Sequence, residues 1–442
     1  MLVKRAAPAQ PQAEQMSFAY WGLLLFTVVY FVRPSDWVPG LATIPLAKIV
    51  GALTVAGLIH CVFQKPSPVS HLHLEMIYVF LLFGQFCLAI PFAIWKGGSF
   101  DVTSDFSKVV VVTLVIFITC SSLLRLRRLI LIQTASVVGM ALLAAMGFAG
   151  SVKSAIGPRL EGVIGGVFGN SNDFALALAM TFPFVFAFAI RSRNLAGKIC
   201  WIIAMLLIVF ISMSTLSRGG LLALIAAAVI SFWEFGIRGR RHGWLLLVGA
   251  VGLIAILLGD PASYSQRVAT IFNPEEDLTG SSAMRRELLD LSLQVTAEHP
   301  LVGIGPGNFE SISGNWHVTH NTYTQLSAEA VIPALILFLL LGARSWSNLR
   351  RAQRLAPEDE ELALWAGGIR ASLAGFAVGA VFASFAYHFL PYFLVGYAAA
   401  LIQIARNNAT VPEMPLSKTA RTGVRKMLHG TRRLPTSAHP AF

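Results

Sequence analysis

Run after run of mostly apolar residues, each near the roughly 20 that an α-helix needs to cross a bilayer, limits what this chain can fold into. In lipid the backbone must satisfy its own hydrogen bonds, so such runs are read as helices. Short polar turns separate them and imply about twelve crossings, near residues 17–32, 41–63, 74–94, 107–123, 129–149, 173–190, 199–216, 219–236, 244–259, 325–343, 366–387 and 389–405. Of 442 residues, 55% are hydrophobic and 13% charged, which leaves little chain for a soluble domain. The expectation is an all-α integral membrane protein. A tail over 1–16 leads into nine helices over 17–259, one long external loop over 260–324, three helices over 325–405, and a basic tail over 406–442, expected to be disordered. Lys4 and Arg5 precede the first run, and no small-residue cleavage site follows it, so that run reads as a retained span.

The net charge of +12 would suit a nucleic-acid partner if it were spread over one surface. It is instead sorted by side. Basic residues fall in every second loop: Arg125, Arg127 and Arg128; Arg191, Arg193 and Lys198; Arg238, Arg240 and Arg241; Arg344, Arg350, Arg351 and Arg354; then the tail. By the positive-inside rule these loops and both termini are cytoplasmic, and anionic lipid headgroups account for the charge without nucleic acid. Cys61, Cys87, Cys120 and Cys200 fall within or at the ends of spans, so neither a disulfide framework nor a metal site is expected.

Two external segments, 150–172 and 260–324, are too long to be turns, and function is sought there. In the second, Met284, Leu288, Leu291 and Val295 share one helical face. That helix would be capped by Ser281 or Ser282, end at His299-Pro300, and lie along the membrane surface.

Four places can carry chemistry. Arg218 follows Ser217 in a link between two apolar helices that has almost no loop, at the external membrane boundary. Its planar fork of donors matches phosphate oxygens, and Gly219 and Gly220 would let a ligand approach the backbone; a guanidinium reaching to headgroups is the plain alternative. Arg159 and Glu161 lie in the first external loop, either as a second phosphate contact or as ordinary loop charges, with Asn172 or Asp173 capping the next helix. His320 precedes Asn321 and Tyr323; an imidazole at a membrane surface can take a proton from an acceptor hydroxyl at neutral pH. Glu329, about two and a half helical turns further on, is better placed to orient than to partner it directly. Arg267, Arg285 and Arg286 put positive charge where the topology rule disfavours it, which suits a substrate role. Glu275, Glu276 and Asp277 read as a solvated acidic patch, and no metal or cofactor is assigned.

Taken in order, Ser217-Arg218-Gly219-Gly220, Arg267-Val268, Arg285, the run from Glu298 through Gly303, Gly305 and Gly307 to Phe309, and His320-Asn321-Thr322-Tyr323 with Glu329 resemble the O-antigen ligase and O-antigen polymerase family of bacterial membrane glycosyltransferases. Arg159 to Gly162 and Asn170 to Phe174 look like that family's upstream loop. The resemblance implies metal-independent transfer of a glycan from an undecaprenyl-diphosphate carrier to an acceptor hydroxyl, with inversion, at the periplasmic face of the inner membrane. Arg218, with Arg159 and Arg267 or Arg285, would hold the diphosphate, and His320 would be the general base. The acceptor would be a glycan, lipid or protein. Ala330-Val331-Ile332-Pro333 departs from the glycines the family often has there, and Leu289 stands where an aromatic is frequent.

Two other functions are weighed. A polymerase would use the same donor with a second carrier-linked glycan as acceptor, and the single long loop after the ninth span leans toward a ligase. A flippase for lipid-linked glycans would be expected to show internal repeats and ionisable residues in mid-membrane, where only Arg370, near one helix start, stands out.

Overall fold

The computed structural model describes residues 18–36, 38, 40–64, 73–148, 151–154, 157–160, 168–241, 243–244, 249, 280–314 and 316–410; the side chains of 61–64, 151–159 and 410 fall outside the description. Helices dominate: α1 (Phe18–Val32), α2 (Leu46–Gln64), α3 (Leu74–Ala89), α4 (Lys96–Thr119), α5 (Leu123–Leu143), α6 (Ser171–Arg191), α7 (Leu195–Ser214) and α8 (Arg218–Ser231). After the second external segment come α9 (Ser281–Glu298), the single turn α10 (Phe309–Ile312), α11 (Thr322–Glu329), α12 (Val331–Leu355), α13 (Glu360–Gly379) and α14 (Phe389–Thr410). A small antiparallel hairpin, β1 (Ser151–Ser154) with β2 (Gly157–Leu160), stands in the segment expected to be the first external loop, where no strand was expected.

Ten described helical stretches are long and apolar enough to cross a membrane: α1 and α3 to α8 with their short extensions, then α12, α13 and α14. The chain is a multi-pass membrane protein. Expected span 244–259 lies outside the described residues apart from Trp244 and Gly249, and 41–63 appears as the shorter apolar helix α2. The core gathers on α6 and α14, whose apolar side chains run all the way round and are almost wholly buried. By contrast α7 shows Leu195, Ile199 and Ile203 on its outer face, as a helix against lipid should.

One end of the bundle is tied by ion pairs. Glu361 at the start of α13 accepts from Arg127 of α5 at 2.9 Å and from Arg191 of α6 at 3.1 Å, and Glu360 accepts from Arg241 at 3.2 Å. The Tyr20 hydroxyl of α1 donates to the Arg125 carbonyl in the same region. This is the end where the basic loops gather.

Several boundaries differ from those the sequence suggested, each for a physical reason. Helix α4 begins at Lys96 rather than near 107, so Asp101, Asp105 and Lys108 ride on a spanning helix. The expected span 325–343 is two helices, because the chain breaks at Ala330 and Val331 adopts a φ of 80°. The expected span 366–387 stops at Gly379, and residues 380–388 form a non-helical turn. Arg370 therefore lies mid-helix in α13. It is paired with Glu234, in the helical stretch that follows α8, its Nε donating at 3.0 Å, with both side chains almost sealed from solvent. Removing either partner would leave a buried charge, at about 3–5 kcal/mol.

Candidate active site

At the opposite end, the turn after α7 sets Arg218. Ser217 caps α8 by accepting from the Gly220 N–H at 3.1 Å, and its hydroxyl donates to Asn172 at 2.8 Å. Asn170, not Asn172 or Asp173, caps α6: its side-chain oxygen accepts from both of their N–H groups, at 2.8 and 3.2 Å. A side-chain oxygen one or two residues before the first turn reaches those orphan donors best. Gly219 and Gly220 serve packing rather than ligand access. A Cβ on Gly219 would stand 2.4 Å from Phe382, and one on Gly220 would stand 2.3 Å from Ala175.

Across from Arg218 runs α9, which begins after Gly280 at a φ of 66°, so the capping position belongs to Gly280 and not to Ser281 or Ser282. Its expected apolar face is present: Leu288 and Val295 are buried with Met284 and Leu291 against Ile304, Phe309 and Ala328. The other face carries Arg285 and Arg286. The Arg218 guanidinium donates to Ser281 at 2.8 Å, joining α8 to α9.

His320 sits in the turn before α11, with a left-handed φ of 51° that histidine tolerates better than most residues. Asn321 caps α11 by accepting from Tyr323 and Thr324. The segment is bolted to the 380–388 turn and the end of α13: the Thr322 N–H donates to Ala380 at 2.8 Å, its hydroxyl to Ala383 at 2.6 Å, and the Tyr323 hydroxyl to Ala377 of α13 at 2.8 Å.

These pieces enclose a cavity of about 390 Å³ lined by Arg218, Arg285, Arg286, His320, Asn321 and Phe382, with Leu222, Ser282, Leu289, Thr319 and Val381. Arg285 acts electrostatically on both His320 and Asp173, so the Asn170–Asp173 helix start abuts the same site. Burial, then the positive charge of Arg285 and the neighbouring His317, push the His320 imidazole down to about 4. It is neutral at physiological pH and able to accept a proton.

Not every expected residue joins this cavity. Arg267 lies outside the described residues, as do Glu161 and the 275–277 patch, and Arg159 is described only as backbone within β2. Glu329, which the resemblance places among the substrate-binding residues, does not line this cavity. Its carboxylate accepts from the Phe309 N–H at 3.1 Å and the Tyr387 hydroxyl at 2.7 Å, while its backbone carbonyl accepts from Gly305 at 2.9 Å. It pins the glycine-rich 303–309 loop to the 380–388 turn, and burial pushes its carboxyl up to about 7. Val381 and Phe382 are lining residues that sequence reasoning missed, because they were assigned to a span; the polar Ser384, Tyr387 and His388 within that apolar run were the signal against it.

Residues 203–339 match the family model described as O-antigen ligase, from mid-α7 into α12, and so include Arg218, Arg285, His320 and Glu329. Over this segment, and over it alone, the chain is similar to the O-antigen ligase family. No curated protein matches the chain significantly. The matched segment supplies every lining residue given above except Val381 and Phe382 of the 380–388 turn.

Proposed function

We propose that this protein transfers a glycan from an undecaprenyl-diphosphate carrier to an acceptor hydroxyl, inverting the sugar carbon, at the periplasmic face of the inner membrane. The observation that carries the reading is that Arg218, Arg285, Arg286 and His320 line one cavity, at the end of the bundle away from the basic loops. Three guanidiniums suit a diphosphate, since their fixed forks match phosphate oxygens and offset the charge that grows on the leaving group. In the step, neutral His320 takes the acceptor hydroxyl's proton and the freed oxygen bonds to the anomeric carbon. The bond from that carbon to the diphosphate oxygen breaks on the opposite face, and the carrier leaves with the electron pair. No metal is assigned to this chemistry. By the sorting of charge, both termini lie in the cytoplasm.

A polymerase would run the same step with a carrier-linked glycan as acceptor, and the two differ only in what is offered to His320. The test is transfer by the purified full-length protein in lipid nanodiscs. Arg218→Ala should weaken binding of undecaprenyl diphosphate and lower kcat/KM at least a hundredfold, whereas His320→Ala should lower kcat with carrier binding intact. Wild-type turnover in both folded variants would sink the mechanism.

A further inference from the structure

A second and larger chamber, about 740 Å³, opens beside the candidate active site. Its lower part is apolar and lies between α1, α2 and α4, with Leu23, Phe26, Gly51, Val55, Val111 and Val115 on its walls. Its other walls are polar: Asp105, Lys108, Glu310, Gln325, Glu329 and Tyr387. Asp105 and Lys108 pair with each other nine and twelve residues into the 24-residue α4, about 14 and 18 Å along it, near its middle. Their side chains are nonetheless 74% and 50% exposed. They stand just before the apolar run that starts at Val109, and exposed charges beside such a run need water or a polar ligand for company.

The two cavities differ in charge. The Arg218 cavity has three guanidiniums and, among its described lining residues, no carboxylate. The chamber has the carboxylates of Asp105 and Glu310, the carboxyl of Glu329 already engaged by Phe309 and Tyr387, two lysines, an amide and the clustered rings of Phe26, Tyr30 and Phe389. Carboxylates repel phosphate but accept from sugar hydroxyls, and aromatic faces suit the apolar face of a sugar ring. Only a thin wall divides the two spaces. Val318 faces the chamber, Thr319 and His320 face the cavity, and the Thr319 and Ser384 hydroxyls meet at 3.0 Å between them.

We propose that the chamber is the acceptor subsite, taking an uncharged, hydroxyl-rich glycan borne on a hydrocarbon chain that enters between α1, α2 and α4, with its reacting hydroxyl reaching His320 across the Thr319–Ser384 partition. The assignment rests on the reading of the Arg218 cavity as the donor site, and the test separates the two.

The probe is an alkyl maltoside carrying a photoreactive diazirine, applied to the full-length protein in nanodiscs, with labelled peptides located by mass spectrometry. Labelling should concentrate on α1, α2 and α4, persist under saturating undecaprenyl diphosphate, and fall at least tenfold in Gly51→Leu. A Cβ on Gly51 meets only the Phe26 ring, at 3.9 and 4.0 Å, so the leucine enters the chamber without a clash. Unchanged thermal unfolding and unchanged carrier binding would confirm that Gly51→Leu is folded. Asp105→Asn with Lys108→Gln should remove the preference for the maltoside over a diazirine alkyl alcohol. The assignment is overturned if label falls on α8 or α9, if the carrier displaces the maltoside, or if the sugar-free alcohol labels the wild type equally. Carrier binding that survives Arg218→Ala would instead sink the donor reading, with the maltoside result standing on its own.

Discussion

His320 is held in a state that suits a base only in part. A group whose pKa has dropped to about 4 is unprotonated at neutral pH, but it also holds a captured proton weakly. Arg285 contributes to that drop, and a bound diphosphate would offset its charge. The expected outcome is an acid limb near pH 4 in kcat/KM, which reports the free enzyme, and a limb at higher pH in kcat, which reports the complex; coincident limbs would show that no anion sits beside Arg285. At Arg218, replacement by lysine keeps the charge and loses the planar fork. Arg218→Lys should therefore leave transfer at least tenfold below wild type, and full activity would show that a point charge suffices. That Arg218, Arg285 and His320 share one cavity was foreshadowed in the sequence, where each stood out in a segment read as external. The role of Glu329 was not, since nothing in its spacing told that Tyr387, 58 positions away, would take one of its oxygens.

Among the elements, the 303–309 loop and the 380–388 turn carry the site. Glu329 joins them, and Glu329→Ala would strand the Phe309 N–H and the Tyr387 hydroxyl, at roughly 2–4 kcal/mol. Because its carboxyl binds a proton more tightly folded than unfolded, its contribution to stability is complete below pH 4.5 and is lost as pH rises through about 7. The melting temperature should fall between pH 5 and 8, and Glu329→Gln should make that slope shallower; an unchanged slope would exclude Glu329 as its source. Gly303 has a φ of 62°, and its Cβ would press to 2.5 Å on the Glu329 carbonyl oxygen, so Gly303→Ala should destabilise both loop and site. Helix periodicity foretold α9 and its buried face well. Apolar content could not locate the breaks at Ala330 and Gly379, because both fall inside hydrophobic runs that would serve equally well as continuous spans. What meets those helix ends is tertiary: the α11 start hydrogen-bonds to the 380–388 backbone, and the Ile304 and Gly305 N–H groups donate to the Ala328 and Glu329 carbonyls, pairings that cannot be read from any one segment alone.

Over the whole molecule, the pattern of apolar runs anticipated the spanning helices, because lipid leaves a chain few alternatives. The polar chamber beside α4 was hidden for the converse reason: Asp105 lay in an expected loop and Lys108 at the edge of the expected span 107–123, until the helix was seen to begin at Lys96. Charge sorting makes a topological prediction. A cysteine introduced as Ser282→Cys should react with a membrane-impermeant maleimide added outside spheroplasts, and one introduced as Arg193→Cys only after lysis; the reverse pattern would invert the protein. The ion pairs centred on Glu361 and Glu360 bear on motion as well. They fasten α5, α6, α13 and the segment after α8 together at one pole, whereas the far pole is joined by hydrogen bonds among loops and turns. A bundle riveted at one end and laced at the other behaves like a clothes-peg: the hinge stays shut, and any breathing wide enough to admit two greasy reactants happens at the jaws.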